Sequence, residues 1–134
     1  TLDGRKADVP TVKKLTSAAG PLAGACIRLA QPRRSLIGVA EGIETAMAAS
    51  LASGVPTVAA YCAGAVAGYS WPSGVRSLVV FADADEAARK ASDELRARAL
   101  RAGLGVNVMA PTTAGADWCD VWAARGAVAL ECAA

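Results

Sequence analysis

The chain has 134 residues, 54% of them apolar, a net charge of +2 and no histidine. That length suits one domain around a single core, and the missing histidine excludes Ser-His-Asp and Cys-His nucleophile systems and every histidine-ligated metal. No apolar run of about 18 residues spans a membrane and no signal-peptide pattern opens the sequence, so a cytoplasmic protein without a membrane partner is expected.

Residues 1–34 carry Arg5, Lys6, Lys13, Lys14, Arg28, Arg33 and Arg34 against Asp3 and Asp8. This basic arm reads equally as a polyanion-binding surface or as a solvated segment. The chain opens Thr1-Leu2-Asp3 without an initiating Met, so it is expected to be a piece of a longer protein. Cys26, Cys62, Cys119 and Cys132 share no CxxC spacing, which argues against a zinc ribbon or redox pair and for reduced, mostly buried thiols. Neither a GxxxxGK[ST] loop nor a GxGxxG fingerprint is present.

From residue 35 onward short apolar runs alternate with helical segments, the pattern of parallel α/β architecture. Residues 35–40 form the first expected strand, and 43–53 a helix closed by Gly54 and Pro56. Residues 57–61 give a second strand, and the Gly- and Pro-rich stretch 64–74 a loop with room for one short helical turn. A third strand is expected over 77–82. The clearest helix covers 86–102, with Ala88, Ala91, Leu95 and Ala99 on its inward stripe. Its Glu86–Lys90 and Glu94–Arg98 spacings favour i,i+4 pairing. A fourth strand at 106–109 and a loop at 111–116 precede a last helix from 117, with Val121, Trp122, Val128 and Leu130 directed to the core.

Acids sit where strands end. The first strand runs into Glu41-Gly42 and the third into Asp83-Ala84-Asp85. A hard cation such as Mg2+ takes oxygen ligands and keeps room for water and phosphate, so strand-end carboxylates suggest phosphoryl transfer. Glu41 and Asp83 share one cation only if their strands are neighbours, about 5 Å apart. The strand order must then be 2-1-3-4, with the first helix on one face, the long helix on the other and the ligand crevice at the C-terminal edge. Asp83 and Asp85 fall on the same side of an extended chain. Asp85 also suits an N-cap of the following helix, and Asp120 a first-turn helix acid.

Glu41-Gly42-Ile43-Glu44, Asp83-Ala84-Asp85 and Asp117-Trp118-Cys119-Asp120, in this order and spacing, resemble the Toprim domain of bacterial primases and topoisomerases. The set is most similar to primases of plasmids, satellite phages and other mobile elements, and residues 22–29 resemble the strand that precedes their Toprim unit. The resemblance implies a Rossmann-type α/β sandwich with a four-stranded, mainly parallel sheet. It implies that 35–134 is the Toprim domain and 1–34 the C-terminal end of an upstream basic subdomain.

By the same resemblance Glu41 is the general acid or base of nucleotidyl transfer. Glu41, Asp83, Asp85, Asp117 and Asp120 hold Mg2+ or Mn2+, with two ions during catalysis. Lys13, Lys14, Arg28, Arg89 and Lys90 are the expected nucleic-acid contacts. Expected partners are a single-stranded DNA template, nucleoside triphosphates, and further domains of the polypeptide or a replicative helicase. One departure is that primases follow DxD with Arg-Ala-Gly, whereas Glu86-Ala87-Ala88-Arg89 stands here. A Toprim-type nuclease and a non-catalytic, metal-binding assembly module of a helicase-primase are the alternatives. Trp71, Trp118 and Trp122 read as core or lid residues before base-stacking platforms.

Overall fold

The computed structural model describes residues 17, 18, 20, 22–113 and 115–131, with side chains as far as Arg125. Lys13, Lys14 and Cys132 lie outside the described residues, as do the side chains of Val128 and Leu130. The elements run β1 (Leu36–Ala40), α1 (Ile43–Ser53), β2 (Thr57–Ala59), α2 (Ala63–Gly68), β3 (Ser77–Phe81), α3 (Glu86–Arg101), β4 (Gly105–Met109) and α4 (Trp118–Glu131).

All four strands pair in parallel in the order β2-β1-β3-β4, the order that a site shared by β1 and β3 requires. The strands are entirely rather than mainly parallel. The register sets Ala40 beside Ala59 on one flank and Phe81 on the other, so β1, β2 and β3 reach the same edge together.

Period-two alternation sorts the strand side chains into two cores. Ile37, Val39, Leu78 and Val80 face α2 and α3, where Tyr69, Leu95 and Ala99 close the layer. Ala40, Val79 and Phe81 face α1 and α4, packing on Ala46, Ala49 and Trp118. The stripe Ala88, Ala91, Leu95 and Ala99 of α3 is buried, and Ser92 joins it by turning its hydroxyl onto the Ala88 carbonyl at 2.7 Å. Gly38 makes room on the second face: a Cβ there would lie 2.8 Å from Cε2 of Phe81 and 2.5 Å from Oγ1 of Thr57. The Phe81 ring therefore lies over β1 and meets Trp118 edge to face at 4.9 Å.

The expected boundaries shift for local reasons. Strand β1 starts after Ser35 because Arg34 and Ser35, at φ 51° and 60°, form a left-handed two-residue turn bonded between Arg33 and Leu36. Strand β2 stops before Tyr61, whose φ of 64° takes the chain out of extended geometry. The short helical turn allowed within the 64–74 loop is a six-residue helix, α2, that begins at Ala63. The strand expected over 22–29 reduces to a single antiparallel bridge, Ile27 to Ala59.

Trp122, expected in the core, is 46% exposed, because Trp118 and Val121 occupy the inward positions of α4. Cys62 and Cys119 are exposed rather than buried, and Cys26 is half-buried. Arg98 does not spend its charge on Glu94. Its guanidinium reaches across to α2, donating to the carbonyls of Ala67 at 2.6 Å and Tyr69 at 2.5 Å and lying 5.2 Å over the Trp71 ring. Among the described residues no helix is long and apolar enough to cross a membrane.

Candidate metal centre at the C-terminal sheet edge

Glu41 is the first residue beyond β1 and Asp83 the second beyond β3, on neighbouring strands. The ladders continue past the strand ends: Tyr61 N–H donates to the Glu41 carbonyl at 2.8 Å, and Ala82 N–H to the Met109 carbonyl at 2.8 Å. Both acids thus leave the sheet from fixed backbone. Both are half-buried.

Asp85 caps α3. Its extended backbone, φ −102° and ψ 168°, lets Oδ1 accept the Ala88 N–H at 2.7 Å, satisfying a donor that the first helical turn leaves open. Asp117 and Asp120 cap α4 reciprocally. Oδ1 of Asp117 accepts the Asp120 N–H at 2.9 Å, and Oδ2 of Asp120 accepts the Asp117 N–H at 3.1 Å. This is a capping box with aspartate in both positions. In each of these three residues the bonded oxygen serves the helix, and the other carboxylate oxygen lies outside the cap.

The α4 cap also comes close to β3. Burial raises the Asp83 carboxyl above its ordinary value of 3.8, and the nearby charges of Asp85 and Asp117 raise it further. Partial desolvation raises the Cys119 thiol, with Asp117, Asp120 and Glu44 adding to the effect. Glu44, in the first turn of α1, therefore shares this acidic surface. Acids of three sequence segments, 41–44, 83–85 and 117–120, converge on one edge, where their like charges repel. Such repulsion is relieved by a divalent cation.

The donor set fits a hard cation: carboxylate oxygens, no histidine in the chain, and a thiol at Cys119 whose proton is held by its acidic neighbours. Among the described residues, no three acids or cysteines are drawn together tightly enough to form a ready ligand set. The topology gathers the acids, while their capping bonds hold several carboxylates toward helix ends.

Two contributions to this edge are hard to see in the sequence. Trp118 donates its indole N–H to the Ala82 carbonyl at 3.2 Å, so the residue between two candidate acids fastens the peptide that carries Asp83. Tyr61 holds its left-handed conformation beside Glu41 while its hydroxyl donates to the Leu22 carbonyl at 3.2 Å, tying the N-terminal segment to this end of the sheet. A β-branched or bulky residue at positive φ is uncommon and concentrates at functional sites.

Arg89 borders a cleft of about 230 Å3 with Asp83, Asp85, Ser92 and Asp93. Lys90 is exposed on the outer surface of α3, beside Glu86 and Glu94. Arg28 lines a cavity on the α2 side of the sheet, and none of these acids is among its described lining residues.

A parallel 2-1-3-4 sheet with acids at the ends of its two central strands is consistent with the Toprim α/β fold. The family model for a Toprim domain matches residues 36–128, more than half of the chain, and the protein belongs to the Toprim family. Toprim domains occur in primases, topoisomerases and nucleases and typically bind divalent metals. No curated protein and no solved structure matches the chain.

Proposed function

We propose that the protein is the Toprim catalytic portion of a DNA primase of the mobile-element type, which makes RNA primers on a single-stranded DNA template. The observation that carries this reading is the placement of Glu41 and Asp83 at the same edge of adjacent strands β1 and β3, within a chain that also keeps Asp85, Asp117 and Asp120 at that edge.

Glu41, Asp83, Asp85, Asp117 and Asp120 hold Mg2+ or Mn2+ in this account. The ions supply charge stabilisation for the attacking oxygen and the pyrophosphate leaving group. Glu41 moves the proton of the attacking hydroxyl. Burial and the nearby charges of Asp85 and Asp117 raise the Asp83 carboxyl, so this edge favours holding a proton. Arg89, bordering the cleft beside Asp83, meets substrate phosphates from the position that Glu86 cannot serve. Lys90, Lys13 and Lys14 bind the template backbone, with residues 1–34 as the end of an upstream basic subdomain. Nucleoside triphosphates are the substrates, and the partners are further domains of the polypeptide or a replicative helicase in the cytoplasm.

The isolated chain does not synthesise primers, because positioning of template and two nucleotides supplies much of the rate in phosphoryl transfer. The test is primer synthesis by the full polypeptide. Glu41→Gln abolishes it while leaving single-stranded DNA binding intact, and Lys13→Glu with Lys14→Glu weakens binding and makes its salt dependence shallower. Primer synthesis that survives Glu41→Gln refutes the assignment. Metal-dependent DNA cleavage without synthesis favours the nuclease alternative.

A further inference from the structure

On the other side of the sheet from α1 and α4, a cavity of about 190 Å3 lies between residues 24–32, the middle of β1 and β2, and the turn after α2. Ile37 and Val58 form its floor, and Cys26, Arg28, Tyr69 and Ser70 contribute polar groups. Among the described residues no acid lines this cavity.

Tyr69 is 1% exposed, yet its hydroxyl donates to no partner among the described residues. No side-chain oxygen sealed from solvent lacks a partner among the described residues, so this hydroxyl meets solvent through the cavity and is open to an acceptor there. Its backbone is fixed on both sides: the carbonyl accepts from Arg98 and the N–H donates to the Val66 carbonyl at 3.1 Å. The ring is therefore preorganised against the cavity. Burial and the neighbouring Cys26 push the phenol up to about 12, against an opposing pull from Arg28. Burial likewise raises the Cys26 thiol. At neutral pH the cavity thus offers a guanidinium, a phenolic donor and a thiol, and among the described lining residues none is acidic.

Size decides the ligand class. At about 30 Å3 per water the cavity holds about six waters, below the roughly 300–1,000 Å3 of pockets that enclose drug-sized ligands. A whole nucleotide is too large.

We propose that this cavity binds a small oxyanion of phosphate or pyrophosphate size, held by the Arg28 guanidinium and the Tyr69 hydroxyl. Charge-assisted bonds from a planar guanidinium suit such an anion. Its binding ties residues 24–32 to the body of the domain, adding to the Ile27–Ala59 bridge and to the bond from Ser70 N–H to the Gly24 carbonyl at 3.2 Å.

The test reads alkylation of Cys26 by iodoacetamide, mapped by peptide mass spectrometry, with exposed Cys62 as internal reference. It is run in EDTA, which keeps metal-bound anions off the acidic edge and makes the outcome independent of the proposed catalytic function. At tenfold over the dissociation constant, orthophosphate or pyrophosphate slows Cys26 alkylation about tenfold. Cys62 is unaffected, and AMP gives no protection. Arg28→Gln and Tyr69→Phe each abolish the protection, and Arg28→Lys retains part of it, with circular dichroism verifying that each variant is folded. The proposal is overturned by equal slowing in chloride of matched ionic strength, by protection that persists in Arg28→Gln, by no protection at millimolar anion, or by AMP protecting as well as phosphate.

Discussion

Asp85 has two duties that substitution separates. As N-cap of α3 it accepts the Ala88 N–H at 2.7 Å, and as a strand-end acid it faces Asp83, whose carboxyl it helps to raise. Asp85→Ala removes the cap and destabilises by about 1 kcal/mol, which for a chain of this size lowers the Tm by about 3–5 °C. Asp85→Asn keeps an equally good cap and removes one of the charges that repel Asp83, so in EDTA it melts at or slightly above the parent. Adding Mn2+ reverses that ranking, since the asparagine variant has lost a charged ligand oxygen and gains less from the ion. The assay is thermal unfolding of the three proteins in EDTA and in millimolar Mn2+. If Asp85→Asn melts as low as Asp85→Ala in EDTA, the cap does not act through a neutral oxygen. If it keeps the full Mn2+ response, Asp85 is no ligand.

Removing Leu95, which is fully buried against the sheet, should cost about 2–5 kcal/mol as Leu95→Ala in urea unfolding; a loss below 1 kcal/mol would contradict the packing described. Trp118→Phe keeps an aromatic ring against Phe81 but loses the indole bond to the Ala82 carbonyl, costing about 1 kcal/mol, and it removes the buried, blue-shifted part of the tryptophan emission. The Asp83 carboxyl is raised in the fold, so the native state holds this proton more tightly than the unfolded chain. Stability of the metal-free protein therefore falls as pH rises from its ordinary value of 3.8 through the raised one. Asp83→Asn should flatten that slope in urea titrations in EDTA, and an unchanged slope refutes the electrostatic account.

The strand order was legible because two acids on separate apolar runs had to meet, and a parallel sheet brings them together only with β1 beside β3. The inward stripe of α3 was legible from its period, and the α1 boundary from Gly54, which ends that helix at φ 73° with its N–H on the Ser50 carbonyl. Helix α2 was legible only as one short turn within a loop, because the glycines of Ala-Gly-Ala-Val-Ala-Gly read as loop while burial of Ala65 and Val66 against the sheet supplies its stability. Trp122 misled for a related reason: two tryptophans one turn apart cannot both enter a layer that Trp118 already fills.

At the site, the acids were legible as a group but their hydrogen bonds were not. Asp117 and Asp120 have the spacing of a capping box, and only the start of α4 at Trp118 turns that spacing into reciprocal bonds. The roles of Arg98 and Tyr69 depend on α2 lying across from α3, which no local pattern announces.

The central claim is that the acidic edge binds a divalent cation through Asp83 and its neighbours. Mn2+ titration of the unfolding free energy, in parent and Asp83→Asn, tests it most directly. The account predicts a gain of about 1.4 kcal/mol at tenfold over the dissociation constant in the parent and a largely lost response in Asp83→Asn. Unfolding of the parent that is indifferent to Mn2+ and Mg2+ at millimolar concentration, or a response undiminished in Asp83→Asn, would contradict it.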